Sequence, residues 1–151
     1  MSVRTDRVIT IRVMGPSDAA AVAALTTQLG YPASEPDILR RYNLMKDRSD
    51  ARLFVAETAD AAIVGWIHMQ VTYMLESDPR AEIWGLVVSE AARRSGVGRR
   101  LVEAGEQWAK TLGLNTVVVR SNRVRVQAHG FYEHLGYAVT KTQNAFRKSL
   151  G

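Results

Sequence analysis

The chain has 151 residues, of which 46% are hydrophobic and 23% charged, with three histidines and no cysteine. This length and balance predict one soluble, cytoplasmic globular domain over residues 1–151 and exclude collagen-like and disordered classes. Disulfides, thiolate catalysis and cysteine-bound zinc are excluded as well, and no stretch has the ~20 apolar residues of a membrane span. The net charge of +5 favours polyanionic partners such as nucleic acid or a phosphorylated cofactor.

The first third of the chain predicts one strand and two helices. Residues 8–13 alternate β-branched and other side chains, a pattern typical of a strand. Ser17 is predicted to cap a helix that ends at Gly30. Ser34 and Asp37 have the spacing of a capping box, in which each side chain accepts a hydrogen bond from the other residue's backbone N–H, and they open the second helix.

The middle of the chain predicts strands. Residues 52–57 and 61–74 are rich in β-branched and aromatic side chains and flank a polar turn, which indicates a hairpin. Pro79 is expected to interrupt the chain before a further strand over residues 81–88, because proline lacks the N–H that a strand ladder needs.

The remaining segments complete an alternating pattern. A helix with an apolar stripe follows Gly98 and ends at Gly113. Residues 115–121 form a nearly continuous apolar run, which predicts a strand buried on both faces. A helix around residues 124–135 and a closing hairpin over the residues after it come last. This order of elements predicts an α/β fold with a mixed sheet and helices on both faces.

The strongest functional signal lies between residues 86 and 98. A predicted strand runs into Arg93-x-x-Gly96-x-Gly98, and a helix begins there. Glycine lets the backbone approach a ligand closely, and the free N–H groups at a helix start bind anions such as a pyrophosphate. The loop contains neither a Rossmann fingerprint nor a Walker Gly-Lys-Ser/Thr sequence. An ordinary loop with solvated arginines is the alternative interpretation.

A second cluster covers residues 128–137, AHGFYEHLGY. It predicts the end of a helix, with Phe131 and Leu135 on the apolar face and Gly136 at the stop. Tyr132 is a candidate proton donor, since a phenol in a cleft can act as a general acid. A half-buried tyrosine with only a packing role is the alternative.

Together the two clusters resemble the GNAT superfamily of N-acetyltransferases. The sequence VVSEAARRSGVGRRLVEAGEQWA is similar to that family's acetyl-CoA-binding motif, and SNRVRVQAHGFYEHLGY is similar to its downstream motif. The resemblance implies a mixed, mostly antiparallel central sheet flanked by helices, with two strands that splay at the cofactor site. It also implies direct transfer of an acetyl group from acetyl-CoA to an amine. Arg94 stands where many members have glycine.

The resemblance assigns roles to particular positions. The backbone of Leu86, Val87 and Val88 would pair with the pantetheine arm of coenzyme A, and the Val88 N–H would polarise the thioester carbonyl. Tyr132 would protonate the leaving thiolate. The loop would hold the pyrophosphate and an asparagine would touch the cofactor; these residues are Arg93, Arg94, Ser95, Gly96, Val97, Gly98, Arg99 and Asn122.

The reaction gives Glu82 a candidate function. A lysine-like amine with a pKa of ~10.4 is almost wholly protonated at pH 7, and the scarcity of its free base costs ~4.6 kcal/mol. A general base would offset part of that cost. Glu82 precedes Val88 on the same strand, in a position similar to that of the catalytic glutamate in histone-type members. A carboxylate that only binds the amine is the alternative, and Glu57 and Glu76 are weaker candidates for the base.

The acceptor is left open by the sequence. Aminoglycosides, polyamines, amino acids and protein amino groups all carry amines, and a small-molecule amine is the favoured class. The competing function is a non-catalytic module that binds coenzyme A or nucleic acid, although nucleic acid is the less favoured partner. Dimerisation is common among relatives, so a homodimer is an option here. His68 lies on a predicted strand, where a packed or solvated histidine is favoured over one that faces the substrate.

Overall fold

A computed structural model describes residues 8–120 and 126–151 of the chain. Within these residues five strands form one sheet in sequence order, namely β1 Ile9–Val13, β2 Ala51–Thr58, β3 Ile63–Met74, β4 Ser77–Val88 and β5 Val117–Val119. The α-helices of the described chain are α1 Ala19–Gln28, α2 Glu35–Met45, α3 Val97–Thr111 and α4 Val126–His134. The chain divides into two compact units, one with the sheet and α1–α3, the other from Arg120 onward with α4.

The sheet is mixed and mostly antiparallel, as the sequence predicts. Strands β1 to β4 pair antiparallel, and β5 pairs parallel with β4. His68 lies opposite Gly85 and Met69 lies opposite Ile83, which leaves Trp84 as an extra residue in β4. Such a β-bulge bends the strand and redirects a side chain.

Helix α3 covers one face of the sheet. Ile67 and Met69 on β3 are fully buried beneath Leu101 and the following turns of the helix. Gly105 permits the close approach, since a β-carbon at this position would be 2.6 Å from the sulfur of Met69. The apolar stripe predicted for this helix is therefore the face that meets the sheet.

Helices α1 and α2 pack on the opposite face of the sheet, where they form a second hydrophobic cluster. The buried residues of this cluster are Met14, Val22 and Val55, and the partly buried residues packed on them are Ile38, Tyr42, Leu53, Ile63 and Trp66. The Trp66 indole N–H donates to the Thr26 hydroxyl over 3.0 Å, and that hydroxyl donates to the Val22 carbonyl. Gly85 lies under the Trp66 ring, where a β-carbon would approach it to 2.8 Å. These contacts fix α1 beside the end of β4.

The start of α1 differs from the prediction. A short 3₁₀ turn over Pro16–Asp18 precedes the helix, and its cap contact comes from Asp18, which accepts from the Gly15 N–H over 2.8 Å. The residue that immediately precedes α1 is Asp18, so the prediction of Ser17 as the cap is wrong. The Ser34–Asp37 capping box of α2 is confirmed.

Asp18 also joins the turn to the sheet. Arg12 on β1 donates to both oxygens of the buried Asp18 carboxylate at 2.8 Å and to Glu57 on β2 at 3.0 Å. The hydrogen bonds from Arg12 lower the pKa of Asp18 below its ordinary 3.8, against the opposing effect of burial.

Three other expectations are corrected. Pro79 lies inside β4 and does not interrupt the chain before it. At this point β4 pairs only with β3 in the described chain, so its other edge carries no strand and the missing N–H of Pro79 removes no hydrogen bond of the sheet. Strand β5 has three half-buried residues instead of the predicted seven. Residues 137–151 form no strand, because a strand needs a neighbour to accept its hydrogen bonds and the residue pattern alone does not supply one.

Candidate active site

The outer edge of β4 opens toward its C-terminal end. β5 pairs with Ala81 to Ile83 and then ends at Val119, so residues 84–88 have no strand on that side in the described chain. The Ser89 N–H donates to the Val64 carbonyl over 2.9 Å. Because hydrogen-bonded and non-bonded pairs alternate along antiparallel strands, Leu86 and Val88 direct their backbone groups away from β3.

This edge matches the splayed strands that the sequence predicts. Leu86 and Val88 present N–H and C=O groups to an extended ligand, whereas the backbone of Val87 bonds to Trp66 of β3 by the same alternation. The amides of a pantetheine arm are suited to such an edge, since they can form the ladder bonds that a neighbouring strand would otherwise make.

The start of α3 is a second binding element. Gly96 precedes the helix with a φ of +86°, and no side chain caps it in the described residues. The first backbone bond of the helix runs from the Arg100 N–H to the Gly96 carbonyl over 3.0 Å. The N–H groups of residues 97–99 therefore lack helical acceptors, and together with the helix dipole they suit a pyrophosphate.

The arginines of this loop surround that helix start. Arg93 and Arg94 are exposed, and Arg99 is exposed with an ion pair to Glu103 at 3.3 Å. The backbone of Arg94 has a φ of +65°, a conformation that glycine adopts without the steric cost of a β-carbon. The side chain of Ser95 donates to the Ala92 carbonyl and closes the loop.

The face of the sheet away from α3 has a polar area on β3 and β4, and Glu82 lies at its centre. The carboxylate of Glu82 is buried, with only 3% of the side chain exposed, and lies across from Gln70. Arg80 donates to Oε2 from Nη2 at 3.0 Å and from Nε at 3.2 Å, and Trp84 donates to Oε1 at 2.9 Å. All three contacts are N–H groups that donate to Glu82, and an ionised carboxylate, which only accepts hydrogen bonds, fits this arrangement. We call this area the β3–β4 polar face; its residues are His68, Gln70, Thr72, Arg80, Glu82 and Trp84.

His68 and Trp84 form the part of the polar face nearest the bulge. Their rings meet edge to face with centroids 5.7 Å apart, and His68 Nε2 lies 3.3 Å from the Gln70 amide oxygen. Burial lowers the pKa of His68 from its ordinary 6.5, and the hydrogen bond to Gln70 opposes this in part. Burial therefore favours the neutral form of the His68 imidazole.

Sequence reasoning missed Arg80, Trp84 and Gln70. The signal available was the alternation of polar residues in HMQVT on β3 and RAEIW on β4, which places every second side chain on one face. The bulge at Trp84, which no pattern indicates, brings its indole N–H back toward Glu82.

Tyr132, the predicted proton donor, belongs to the second unit and has aromatic neighbours there. It is half-buried on α4, where its ring meets those of Phe131 at 5.1 Å and Tyr137 at 5.9 Å. Asn122 lies outside the described residues. Glu57 is paired with Arg12, and Glu76 is exposed at the turn between β3 and β4.

The described residues contain neither a metal-binding cluster nor a membrane-spanning helix. No group of three or more histidine, cysteine, aspartate or glutamate residues is placed to hold a metal ion. None of the helices in the described part of the chain has the length and apolar character to cross a membrane.

The open edge of β4 and the uncapped start of α3 together suit a thioester that is linked to a nucleotide, such as acetyl-CoA. Comparison with known proteins supports this interpretation. The profile of the Acetyltransferase (GNAT) family matches residues 20–137. The chain belongs to this family and is an N-acetyltransferase that uses acetyl-CoA as the acetyl donor.

Individual relatives support the same assignment. The aminoglycoside N(6')-acetyltransferase type 1 of Stenotrophomonas maltophilia is 30% identical over 145 residues, which cover 93% of this chain and 94% of that protein. The structure of the aminoglycoside 6'-N-acetyltransferase AAC(6')-Ih from Acinetobacter baumannii matches with a TM-score of 0.82 at 22% identity, covering 95% of this chain and all of that one. AAC(6')-Iy in complex with CoA matches with a TM-score of 0.84 at 19% identity, over 95% and 97% of the two chains.

Proposed function

We propose that this enzyme acetylates a primary amine of a small-molecule, aminoglycoside-type acceptor by direct transfer from acetyl-CoA. The observation that carries the proposal is the β3–β4 polar face, where the buried carboxylate of Glu82 lies on the same strand as the open edge at Val88. A strand that combines an anionic group with a thioester-binding edge suits a cationic amine. The similarity to aminoglycoside N(6')-acetyltransferases supports this acceptor class.

The donor is bound by the backbone. The edge groups of Leu86 and Val88 pair with the pantetheine arm, and Val87 holds the strand in place through β3. The Val88 N–H polarises the thioester carbonyl and stabilises the negative charge that develops on its oxygen during attack. The pyrophosphate is held at the start of α3 by the loop residues Arg93, Arg94, Ser95, Gly96, Val97, Gly98 and Arg99. Asn122 is proposed to touch the cofactor.

Glu82 supplies the negative charge on the acceptor side. An ammonium group is attracted to a carboxylate that burial shields from water, because the effective dielectric constant is lower there. Both oxygens of Glu82 already accept hydrogen bonds, from Trp84 and from Arg80, so the carboxylate is held in a fixed position. Its function as the general base stays a prediction.

The reaction needs no covalent enzyme intermediate. The neutral amine nitrogen forms a bond to the thioester carbon, and the carbon–sulfur bond breaks. Tyr132 donates a proton to the departing thiolate, and the proton that the amine nitrogen loses restores the phenol. A chain without cysteine is consistent with direct transfer. A cytoplasmic location, a single domain over residues 1–151 and a homodimer stay predictions of the sequence.

A release assay for free coenzyme A tests the proposal. The full chain is incubated with acetyl-CoA and, in separate reactions, with an aminoglycoside, a polyamine, an amino acid and a lysine-containing peptide. Of the four acceptors, the aminoglycoside is expected to be acetylated with the highest kcat/KM. Mass spectrometry then locates the acetyl group, which should be on a primary amine. Preference for the peptide would indicate a protein acetyltransferase, and coenzyme A binding without turnover on any amine would indicate a non-catalytic module.

A further inference from the structure

A chain of three hydrogen-bonding groups fixes the protonation of His68. The Gln70 side-chain NH₂ donates to the Asp50 backbone carbonyl over 3.0 Å, which orients the amide. The Gln70 oxygen therefore faces His68 Nε2, 3.3 Å away. An amide oxygen can only accept, so Nε2 must be the protonated ring nitrogen and Nδ1 must carry the lone pair.

Nδ1 is available to accept a proton. No hydrogen bond to Nδ1 is formed by any described residue, and Nδ1 is not among the fully enclosed side-chain atoms that lack a partner. A ring nitrogen with a free lone pair, in an imidazole held by a second group, is the arrangement of a histidine general base. Glu82, by contrast, already accepts three hydrogen bonds.

Resting on the proposed function, we propose that His68 is the base that removes the first proton from the acceptor ammonium, with Gln70 and the Asp50 carbonyl as positioning groups. The ammonium proton passes to Nδ1, directly or through one water, and gives an imidazolium and a free amine. The amine lone pair then forms the nitrogen–carbon bond, the carbon–sulfur bond breaks, and the second amine proton ends on the coenzyme A sulfur. The imidazolium returns its proton to solvent.

The charges around His68 are consistent with this step. From β4, Glu82 and Arg80 lie on the same face as an ion pair at 3.0 Å, so their opposite charges offset each other and an imidazolium at His68 meets no unpaired cation there. The Arg48–Asp50 ion pair, at 2.8 Å, lies at the segment that orients Gln70. Strand β2 places the apolar Leu53 opposite His68, and α1 contains no ionisable residue. Since burial lowers the pKa of His68 from 6.5, the imidazole is ready to accept a proton at neutral pH.

The tautomer is tested without any assay of activity. Nitrogen-15 NMR of the histidine-labelled enzyme distinguishes protonated from lone-pair ring nitrogens, and His68 is expected to show a protonated Nε2 and an unprotonated Nδ1 at pH 7. Gln70→Leu removes the acceptor for the Nε2 proton and is expected to give a mixture of the two tautomers. A protonated Nδ1 in the wild-type enzyme, or no change in Gln70→Leu, would overturn the proposed arrangement.

Kinetics test the base itself. His68→Gln is expected to lower kcat about 10²-fold or more, the usual effect of losing a general base, while the KM for acetyl-CoA stays unchanged. The wild-type kcat should fall as the pH drops below 6.5, and this acid limb should be absent in the variant. His68→Ala should regain part of its kcat when imidazole is added to the solution. His134→Gln, at an exposed histidine on α4, is the control and should match the wild type.

The outcomes separate the two proposals. If the wild-type enzyme acetylates no small-molecule amine, the proposed function fails while the tautomer result still stands. If turnover is normal and folded His68→Gln keeps the wild-type kcat and pH profile, His68 is not the base. Circular dichroism of each variant establishes that the fold is retained.

Discussion

The sulfur of Met69 occupies the space where a side chain at position 105 would begin. The gap of 2.6 Å between that sulfur and a β-carbon at Gly105 is shorter than real β-carbon contacts, so either the helix or the methionine must shift to admit even a methyl group. Glycine at this point of α3 therefore sets how closely the helix packs on β3. Because the contact is on the α3 face, it determines stability without touching the β3–β4 polar face.

Gly105→Ala is expected to lower the free energy of unfolding, because overpacking a core usually costs about 1–3 kcal/mol and the higher helix propensity of alanine offsets only ~0.5–1 kcal/mol of it. Met69→Ala alone should also destabilise, since it leaves a cavity. The double variant should lose less than the sum of the two, because the shortened side chain makes room for the new methyl group. Urea unfolding of the four proteins measures this coupling, and strictly additive losses would mean that the two residues do not compete for space.

Arg94→Gly is expected to stabilise the protein. A left-handed backbone costs ~1–2 kcal/mol for a residue with a β-carbon, and the entropy of glycine in the unfolded chain takes back ~0.5–1 kcal/mol. The net gain in denaturant unfolding should lie between zero and ~1.5 kcal/mol. Arg93→Gly is the matched control, because its φ of −66° gives glycine no advantage. Calorimetry should show only a small loss of acetyl-CoA affinity for Arg94→Gly, since the backbone binds the pyrophosphate.

Glu82→Gln is expected to reduce kcat/KM for the amine at neutral pH, with a deficit that shrinks as the pH approaches the pKa of the amine. A free amine needs neither a base nor an anionic partner, so both functions of Glu82 predict this convergence. The kinetic parameters distinguish the two functions, since loss of a general base lowers kcat whereas loss of an anionic partner raises the KM for the acceptor. A pH–rate profile identical to that of the wild type would exclude both. Unchanged acetyl-CoA affinity is the control for folding.

Tyr132→Phe is expected to lower kcat by ~10²-fold at most, at the bottom of the range for general acids, because a thiolate is a fair leaving group. Acetyl-CoA affinity should be nearly unchanged, since the phenol acts mainly in the transition state. Phenylalanine keeps the ring contacts to Phe131 and Tyr137, so stability should change little. Tyr137→Phe is the control. An unchanged kcat under conditions where chemistry limits the rate would leave Tyr132 with a packing function only.

Asp18→Asn is expected to destabilise the protein at pH 7 and to have a smaller effect in acid. The pKa of Asp18 is lowered in the folded state by Arg12, so the ionised carboxylate stabilises the fold above pH 3.8. This contribution is lost as the pH falls below 3.8 through the lower pKa of the folded state. Hydrogen bonds to charged groups contribute ~1.5–3 kcal/mol, which sets the loss expected at pH 7.

Thermal unfolding at pH 7, 5 and 3 tests this dependence. The difference in Tm between wild type and Asp18→Asn should be similar at the two higher values and smaller at pH 3. Asp47→Asn, at a carboxylate that is 87% exposed and 3.6 Å from Lys46, is the control and should have little effect at any pH. A constant difference between wild type and Asp18→Asn would mean that the charge of Asp18 does not stabilise the fold.

The sequence predicts most of the first unit because its signals are local. The capping residues Ser34 and Asp37 and the period of α3 depend on neighbours within one or two turns, and the structure confirms them. The partners of Glu82 are two residues away on the same strand, but Trp84 reaches it only because a bulge shifts the register by one residue, and Gln70 faces it from β3. The wrong prediction at Ser17 has a related cause, since Asp18 takes the cap position while Arg12 of β1 holds its carboxylate.

The sequence also does not predict the tautomer of His68. It depends on the direction of the Gln70 amide, which depends in turn on a backbone carbonyl at Asp50, twenty positions earlier in the chain. Alternation along β3 predicts that His68 and Gln70 share a face. It does not predict which atoms meet, and that pairing decides the chemistry.

The unpaired edge of β4 from Trp84 to Val88 also bears on how the purified protein behaves in storage. Exposed strand edges are templates for pairing between molecules, and proteins that present them tend to self-associate. A donor that occupies this edge masks it and, by binding only the folded chain, raises the apparent unfolding temperature with ligand concentration. Coenzyme A in the buffer should therefore preserve the protein against precipitation, even though it cannot be turned over.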